Sequence, residues 1–279
     1  MLTLFLVAIA VIWIIFAVVS DLRSREIPNW LNFSLIIFVL GIRFFYSVFN
    51  EDWSFFLWGL FGFSAFFLLA NLLYFSRFFA GGDAKLMMAL GPIIPLGASL
   101  FQNVKLSLGF LFLFLITGAI FGVVNIFYFS FKNFNTIKTD FVKNMKNRRR
   151  MFYAFMLFGL VLMILGLWEE IFFIFGVLLF ILPSLLFYAQ AIDNNSLVQR
   201  INSNKLTEGD WLYQKVKVGK RFIEPTWDGL SKKDIELIKK NHKSVKIKIG
   251  IEFSPVFLIS FLIFVYLYFY GIDLWNSFW

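Results

Sequence analysis

Apolar runs of membrane-spanning length recur along this chain, and they restrict its backbone more than any other feature. A run of about 20 apolar residues crosses the hydrocarbon of a bilayer as a helix. The backbone has no water to bond to there, so each N–H and C=O must be satisfied within the protein. The expected fold class is therefore a membrane all-α polytopic helical bundle. We read about eight spans, within a range of six to eight, on that length criterion. They cover residues 2–20, 30–49, 54–78, 84–100, 106–131, 151–168, 171–191 and 255–271. The fourth, with the eighth the shortest, contains Pro92 and Pro95, which predicts an element that is broken, re-entrant or buried in protein. Only Glu169 and Glu170 separate the sixth and seventh, which predicts a tight hairpin.

Composition points the same way. The chain is 60% hydrophobic and 15% charged, where a soluble domain is closer to half and a quarter. Its 41 Phe and nine Trp suit lipid-facing and interfacial positions. The N-terminal run has no basic flank and no small-residue cleavage site, so it reads as a retained first span. The absence of cysteine excludes disulfides, thiolate metal sites and a Cys nucleophile. The single histidine, His242, lies in a Lys-rich segment. Paired-His metallopeptidase chemistry is thereby excluded, and a Ser-His-Asp hydrolase is poorly served. No metal and no cofactor is expected.

The net charge of +9 follows the loops. Connections carrying Arg23 and Arg25, Arg77 and Lys85, and Lys132 to Arg150 alternate with acidic or nearly uncharged ones. The positive-inside rule then puts the N-terminus outside and the odd-numbered loops in the cytoplasm. Nothing pairs these basic residues with a nucleic-acid motif, so no nucleic-acid partner is expected. Asp140 and Arg148 to Arg150 read as solvated loop and topology signal, with membrane lipids in contact. Asn71 and Thr117, inside apolar runs, are expected to hydrogen-bond between helices.

Residues 192–252 form the one sizeable polar segment, expected to be a small α+β cytoplasmic domain. Residues 211–218 and 221–223 read as strands around a Gly219-Lys220 turn. Ser231 to Asp234 resembles a capping box opening a helix that runs to Lys240, and residues 245–249 alternate as a strand. Asp210 reads as a turn residue. The expected division is 1–191 for a transmembrane catalytic bundle, 192–252 for the soluble domain and 253–279 for a C-terminal span. Oligomeric state has no signature in the sequence.

Two carboxylates stand at the ends of apolar runs. Asp21 opens Asp21-Leu22-Arg23-Ser24-Arg25-Glu26-Ile27-Pro28-Asn29, and Asp83 lies in Ala80-Gly81-Gly82-Asp83-Ala84-Lys85. An acid at the edge of hydrocarbon is expensive and marks function. The charge-based topology puts both at the cytoplasmic face. Two carboxylates in contact share a proton and titrate as a pair. The ionised member can take a proton from water while the protonated member polarises a peptide carbonyl. The dipole at a helix N-terminus favours ionised Asp83, and the opposite end favours protonated Asp21. Gly81 and Gly82 permit close backbone approach. Pro28 is expected to mark the turn into the second helix, with Asn29 as its N-cap.

The first cluster resembles the first aspartate motif of the type IV prepilin peptidases. Gly81-Gly82-Asp83-Ala84-Lys85-Leu86 resembles the second, the Gly-x-Gly-Asp signature of that intramembrane aspartic protease clan, with Ala80 where the strict pattern has Gly. Residues 206–212 and 246–251 are similar to the archaeal branch, the preflagellin and prepilin peptidases. The resemblance implies an aspartic endopeptidase with Asp21 and Asp83 as catalytic pair, supported by Gly81, Gly82, Lys85, Pro28 and Asn29. Its substrates would be archaellin or type IV pilin-like precursors with short basic leaders, cut at the cytoplasmic membrane face. Glu26 and Glu208 are candidates to attract such a leader; Asp52 falls on the outer side. Bacterial relatives carry a Cys-rich zinc loop and add an N-methyl group. This chain has neither Cys nor that insertion, so peptidase activity without methyl transfer is expected. The rival readings are an ion- or proton-coupled transporter using the same aspartates and a non-catalytic assembly scaffold.

Overall fold

A computed structural model describes residues 2–219, 221–226, 229–248 and 250–271. Its elements are those of a polytopic helical protein with a small strand-containing region. Five described helices are long and apolar enough to cross a membrane: α1 (Leu2–Ser24), α2 (Asn29–Phe49), α3 (Ser54–Phe75), α5 (Leu100–Lys132) and α8 (Glu170–Ser196). The shorter helices are α4 (Gly81–Leu90), α6 (Phe134–Asn147), α7 (Arg149–Leu165), α9 (Lys232–Asn241) and α10 (Ser254–Phe269). Large apolar side chains such as Phe16, Ile37, Leu68 and Leu115 stay exposed, as helices in lipid require. The chain divides by its internal contacts into two compact units, residues 1–122 with 252–279, and residues 123–251. These boundaries group α7 and α8 with the strands, where the sequence reading grouped them with the bundle.

In the first unit, α4 packs against α1, α2 and α3, and α10 packs against α1. Aromatic rings fill the interior: Phe66, Phe110, Phe257 and Phe261 are fully buried, and Phe114 lies 4.8 Å from Phe257 between ring centroids. Trp13 donates to Ser34 Oγ at 2.9 Å and so ties α1 to α2.

The fourth span differs from a regular helix. α4 has only ten residues, about 15 Å of helix against about 30 Å of hydrocarbon. Pro92 and Pro95 lack the N–H groups that would continue it, and the chain turns through residues 91–96. This broken element and its trailing turn nevertheless follow α2 over most of its length. Lys85 bonds Asn29 near the start of α2, while Arg43, fourteen residues further along α2, donates to Pro95 O at 2.6 Å. At the other side, Tyr268 near the end of α10 donates to Leu96 O at 3.2 Å. Fourteen helical residues make about 21 Å. The expectation of a broken, protein-buried element is met, and α5 starts at residue 100, not 106.

Arg43 is the anchor of that break. It is completely buried, donates also to Phe55 O at 2.7 Å, and lies over the Phe55 ring at 4.3 Å. Glycines make the room: an added Cβ at Gly59 would come within 2.5 Å of Arg43, and one at Gly62 within 2.2 Å of Gly91 O. Asn71 corrects its expectation, since its half-buried amide donates to Phe67 O in the same helix.

The turn between α2 and α3 holds Glu51 at φ 54°, a left-handed conformation that L side chains adopt at a cost of roughly 1–2 kcal/mol. Glu51→Gly is expected to raise stability by about 0.5–1 kcal/mol after the added freedom of the unfolded chain is counted. Thermal melts of the purified protein in detergent check it.

In the second unit, α7 and α8 form the expected hairpin, and they cross on glycine. A Cβ at Gly159 would meet Phe180 N at 2.7 Å, and one at Gly176 would meet Met163 N at 2.6 Å, the close approach small residues allow between membrane helices. The basic stretch read as a loop is instead the amphipathic helix α6. Ile137 packs with Ala191 and Ile192, and Asp140 accepts from Asn195 at 2.7 Å.

The strands are β1 (Val198–Asn202), β2 (Trp211–Leu212), β3 (Val216–Val218), β4 (Arg221–Ile223) and β5 (Ser244–Lys248). One sheet has the order β1-β5-β2, and β3 pairs with β4 in a separate ribbon. The single strand expected over 211–218 is thus two, bonded to different partners. Ser231 and Asp234 form the capping box of α9. Asp210 accepts from Thr207 N at 2.8 Å, a turn residue as read. His242 Nε2 contacts Lys217 O at 2.7 Å. Lys220 of the expected turn and Ile249 of the expected strand lie outside the described residues.

Candidate active site

Asp21 lies in the last turn of α1 and is only 9% exposed. The helix ends just after it because Arg25 turns left-handed, at φ 58°, and its N–H donates to Asp21 O at 2.7 Å. Ser20 Oγ donates to Glu26 O at 2.9 Å, which holds the chain as it leaves the helix. Arg25 also pairs with Glu252 at 3.7 Å, both partly exposed. Pro28, not Asn29, is the N-cap of α2, with no side-chain capping bond. The proline at that position leaves the Asn29 side chain free for another partner.

That partner is the second motif. Lys85 Nζ donates to Asn29 Oδ1 at 2.6 Å. A Cβ at Gly82 would lie 3.4 Å from Ile27, whereas one at Gly81 would meet only Tyr74 at 3.8 Å. Gly82 is therefore the glycine set against the first motif. Ala80 is the N-cap of α4 at φ −69° and ψ 161°, extended backbone open to any L residue. Ala in place of Gly costs no backbone strain there.

Asp83 is the third residue of α4, outside the membrane-length helices. Its carboxyl is pushed up from 3.8 to about 7, first by burial and then by the negative charge of Asp21, with an Ala80 N–H bond pulling the other way. The two acids therefore sense each other. The direction reverses the dipole expectation: burial and a neighbouring carboxylate outweigh the half-charge of a short helix's N-terminus. The structure brings Asp21, Ile27, Asn29, Gly82, Asp83 and Lys85 together, while Glu208 pairs with Lys232 at 3.6 Å. Arg43 and Gly62, which seat the helix carrying Asp83, were not singled out by sequence reading.

The raised carboxyl makes stability depend on pH. The native state keeps the Asp83 proton up to about pH 7, while the unfolded chain loses it near 3.8. Stability is then expected to fall as pH rises between those values and to stay lower above them. Asp83→Asn removes that slope. Its melting temperature should exceed that of the wild type at pH 8 by more than at pH 5.

Comparison with known proteins finds similarity in the N-terminal part of the chain. Residues 8–125 match the family model described as the type IV leader peptidase family. A preflagellin peptidase of Methanocaldococcus jannaschii is 32% identical over 87 residues, 31% of this chain and 37% of that protein. A preflagellin peptidase of Methanococcus maripaludis is 31% identical over the same shares. The chain thus spans just over a third of the length of these curated relatives. No solved structure matches it. Asp21 and Asp83 both lie inside the stretch, residues 8–125, that is similar to the type IV leader peptidase family.

Proposed function

We propose that this protein is a multi-pass membrane aspartic endopeptidase that removes short basic leaders from archaellin or type IV pilin-like precursors. The observation that carries the reading is the meeting of the two motifs, with the Asp83 carboxyl raised by burial and by the charge of Asp21. Asp83 holds the shared proton and hydrogen-bonds the scissile carbonyl oxygen. Asp21 takes a proton from water as its oxygen bonds the carbonyl carbon. The tetrahedral intermediate then loses its C–N bond, and the amine nitrogen leaves with a proton from the pair. Lys85 and Asn29 hold the two motifs in register.

Cleavage takes place at the cytoplasmic face, with the N-terminus outside. Residues 1–191 act as the membrane part, 192–252 as a cytoplasmic domain and 253–279 as a C-terminal span. The test is incubation of membranes containing this protein with a precursor that has a short basic leader ahead of an apolar segment. Cleavage just before that segment is expected, with a rate that falls as pH rises past about 7, where Asp83 loses its proton. Failure to cut any such precursor would overturn the reading and favour a transporter or a scaffold.

A further inference from the structure

α2 buries an amide that no group among the described residues satisfies. Asn32 is 1% exposed, and neither Nδ2 nor Oδ1 has a hydrogen-bond partner among the described residues. Burying an unpaired amide is costly, and the large majority of buried polar side-chain atoms are paired. Asn71, on the neighbouring helix α3, satisfies its amide on its own helix by donating to Phe67 O. Asn32 has the same option in principle and does not take it.

Its direction follows from its neighbours on α2. At 100° per residue, Arg43 lies about 20° from Asn32 around the helix and Asn29 about 60° away on the same side. Asn29 accepts from Lys85 on α4, and Arg43 donates to Pro95 in the turn that continues α4. Asn32 is thus presented to the same element, one turn further into the helix than Asn29. That element carries Asp83.

The chemistry of the orphan names its complement. An Asn side chain is a peptide amide, with one carbonyl acceptor and N–H donors. Here both kinds are free at once. The ligand that matches both is another peptide group, which offers one N–H and one C=O. A precursor cut at the edge of an apolar segment must be extended around its scissile bond, which exposes such groups where little water is present to bond them.

Resting on the peptidase reading above, we propose that Asn32 is a substrate-binding residue whose side-chain amide pairs with the main chain of the precursor beside the scissile bond. The contact is blind to side-chain identity, so it serves precursors of differing sequence. It also explains why an unpaired amide is kept in a core position that Leu would fill.

The test uses the full-length protein in detergent, with synthetic precursors in which single backbone amides next to the scissile bond are replaced by esters. Asn32→Leu is expected to melt at or above the wild-type temperature, because a buried orphan is removed, while kcat/KM falls about tenfold or more. One ester position should cost the wild type about tenfold and cost Asn32→Leu nothing further. Asn32→Ser, smaller and still polar, takes the place of Asn32→Leu in the same cycle if the latter does not fold. A folded variant that cuts at the wild-type rate overturns the proposal, as does an ester loss that adds in full to that of the variant. A wild type that cuts no precursor overturns the peptidase reading, and this proposal with it.

Discussion

Asp21→Asn and Asp83→Asn should each lower precursor cleavage about a thousandfold while the protein still accumulates in the membrane. The size follows from what positioned proton transfer contributes, about 10² to 10⁴ in rate. The amide keeps the shape of the carboxyl, so packing is spared. The two substitutions fail differently. Asn at 83 still offers a hydrogen bond to a carbonyl but has no proton to give the leaving amine. Asn at 21 cannot take a proton from water, and it removes the charge that helps hold the Asp83 carboxyl near 7. The double substitution should be no worse than the poorer single one, because the pair acts as a unit. Full cleavage by either single variant would end the two-aspartate mechanism.

Gly62→Ala should destabilise the protein by about 3 kcal/mol, at the upper end of what overpacking costs. The added methyl would lie 2.2 Å from Gly91 O and 2.5 Å from Pro95 Cγ. Both belong to backbone or a rigid ring that Arg43 already pins, so neither can step aside as a flexible side chain would. The strain displaces the turn after α4, and with it Asp83. Cleavage should therefore fall further than the loss of folded protein explains. The matched control is Gly41→Ala, also inside a membrane helix, where an added Cβ meets nothing within 4 Å among the described residues. It should leave activity intact and gain up to about 1 kcal/mol in helix propensity. Melting temperatures and cleavage per folded molecule separate the two. Equal behaviour of both variants would show that the α3–α4 contact does not position the site.

What could be read from sequence divides along physical lines. α1, α2, α3, α5 and α8 announced themselves because lipid demands long apolar runs whatever the tertiary contacts are. Asp21 and Asp83 stood out as candidates because an acid at the end of an apolar run is rare. That they sense each other is a property of the folded chain. α6 was missed because its apolar face is narrow, chiefly Ile137 and Phe141, among many polar residues. β1 was missed because Val198 to Asn202 has no clean alternation, and its partner β5 lies more than forty residues away. Arg43 was not singled out, because only packing reveals the carbonyls it bonds. The state of Asp83 was misjudged from the helix dipole, because burial is a property of the folded neighbourhood and not of the motif.

The broken fourth span shifts the burden of tolerance onto α2. A continuous helix sets its own depth by its length, but α4 is too short to do so. Asn29 and Arg43 grip it and its trailing turn from one side of a single neighbouring helix. Inserting or deleting one residue between them would turn one grip by about 100° from the other and move it 1.5 Å along the axis. The lipid-facing side chains in that interval can vary, whereas its count of residues cannot. Among relatives of this chain, length changes should therefore collect in the loops around α2 and be absent between these two positions.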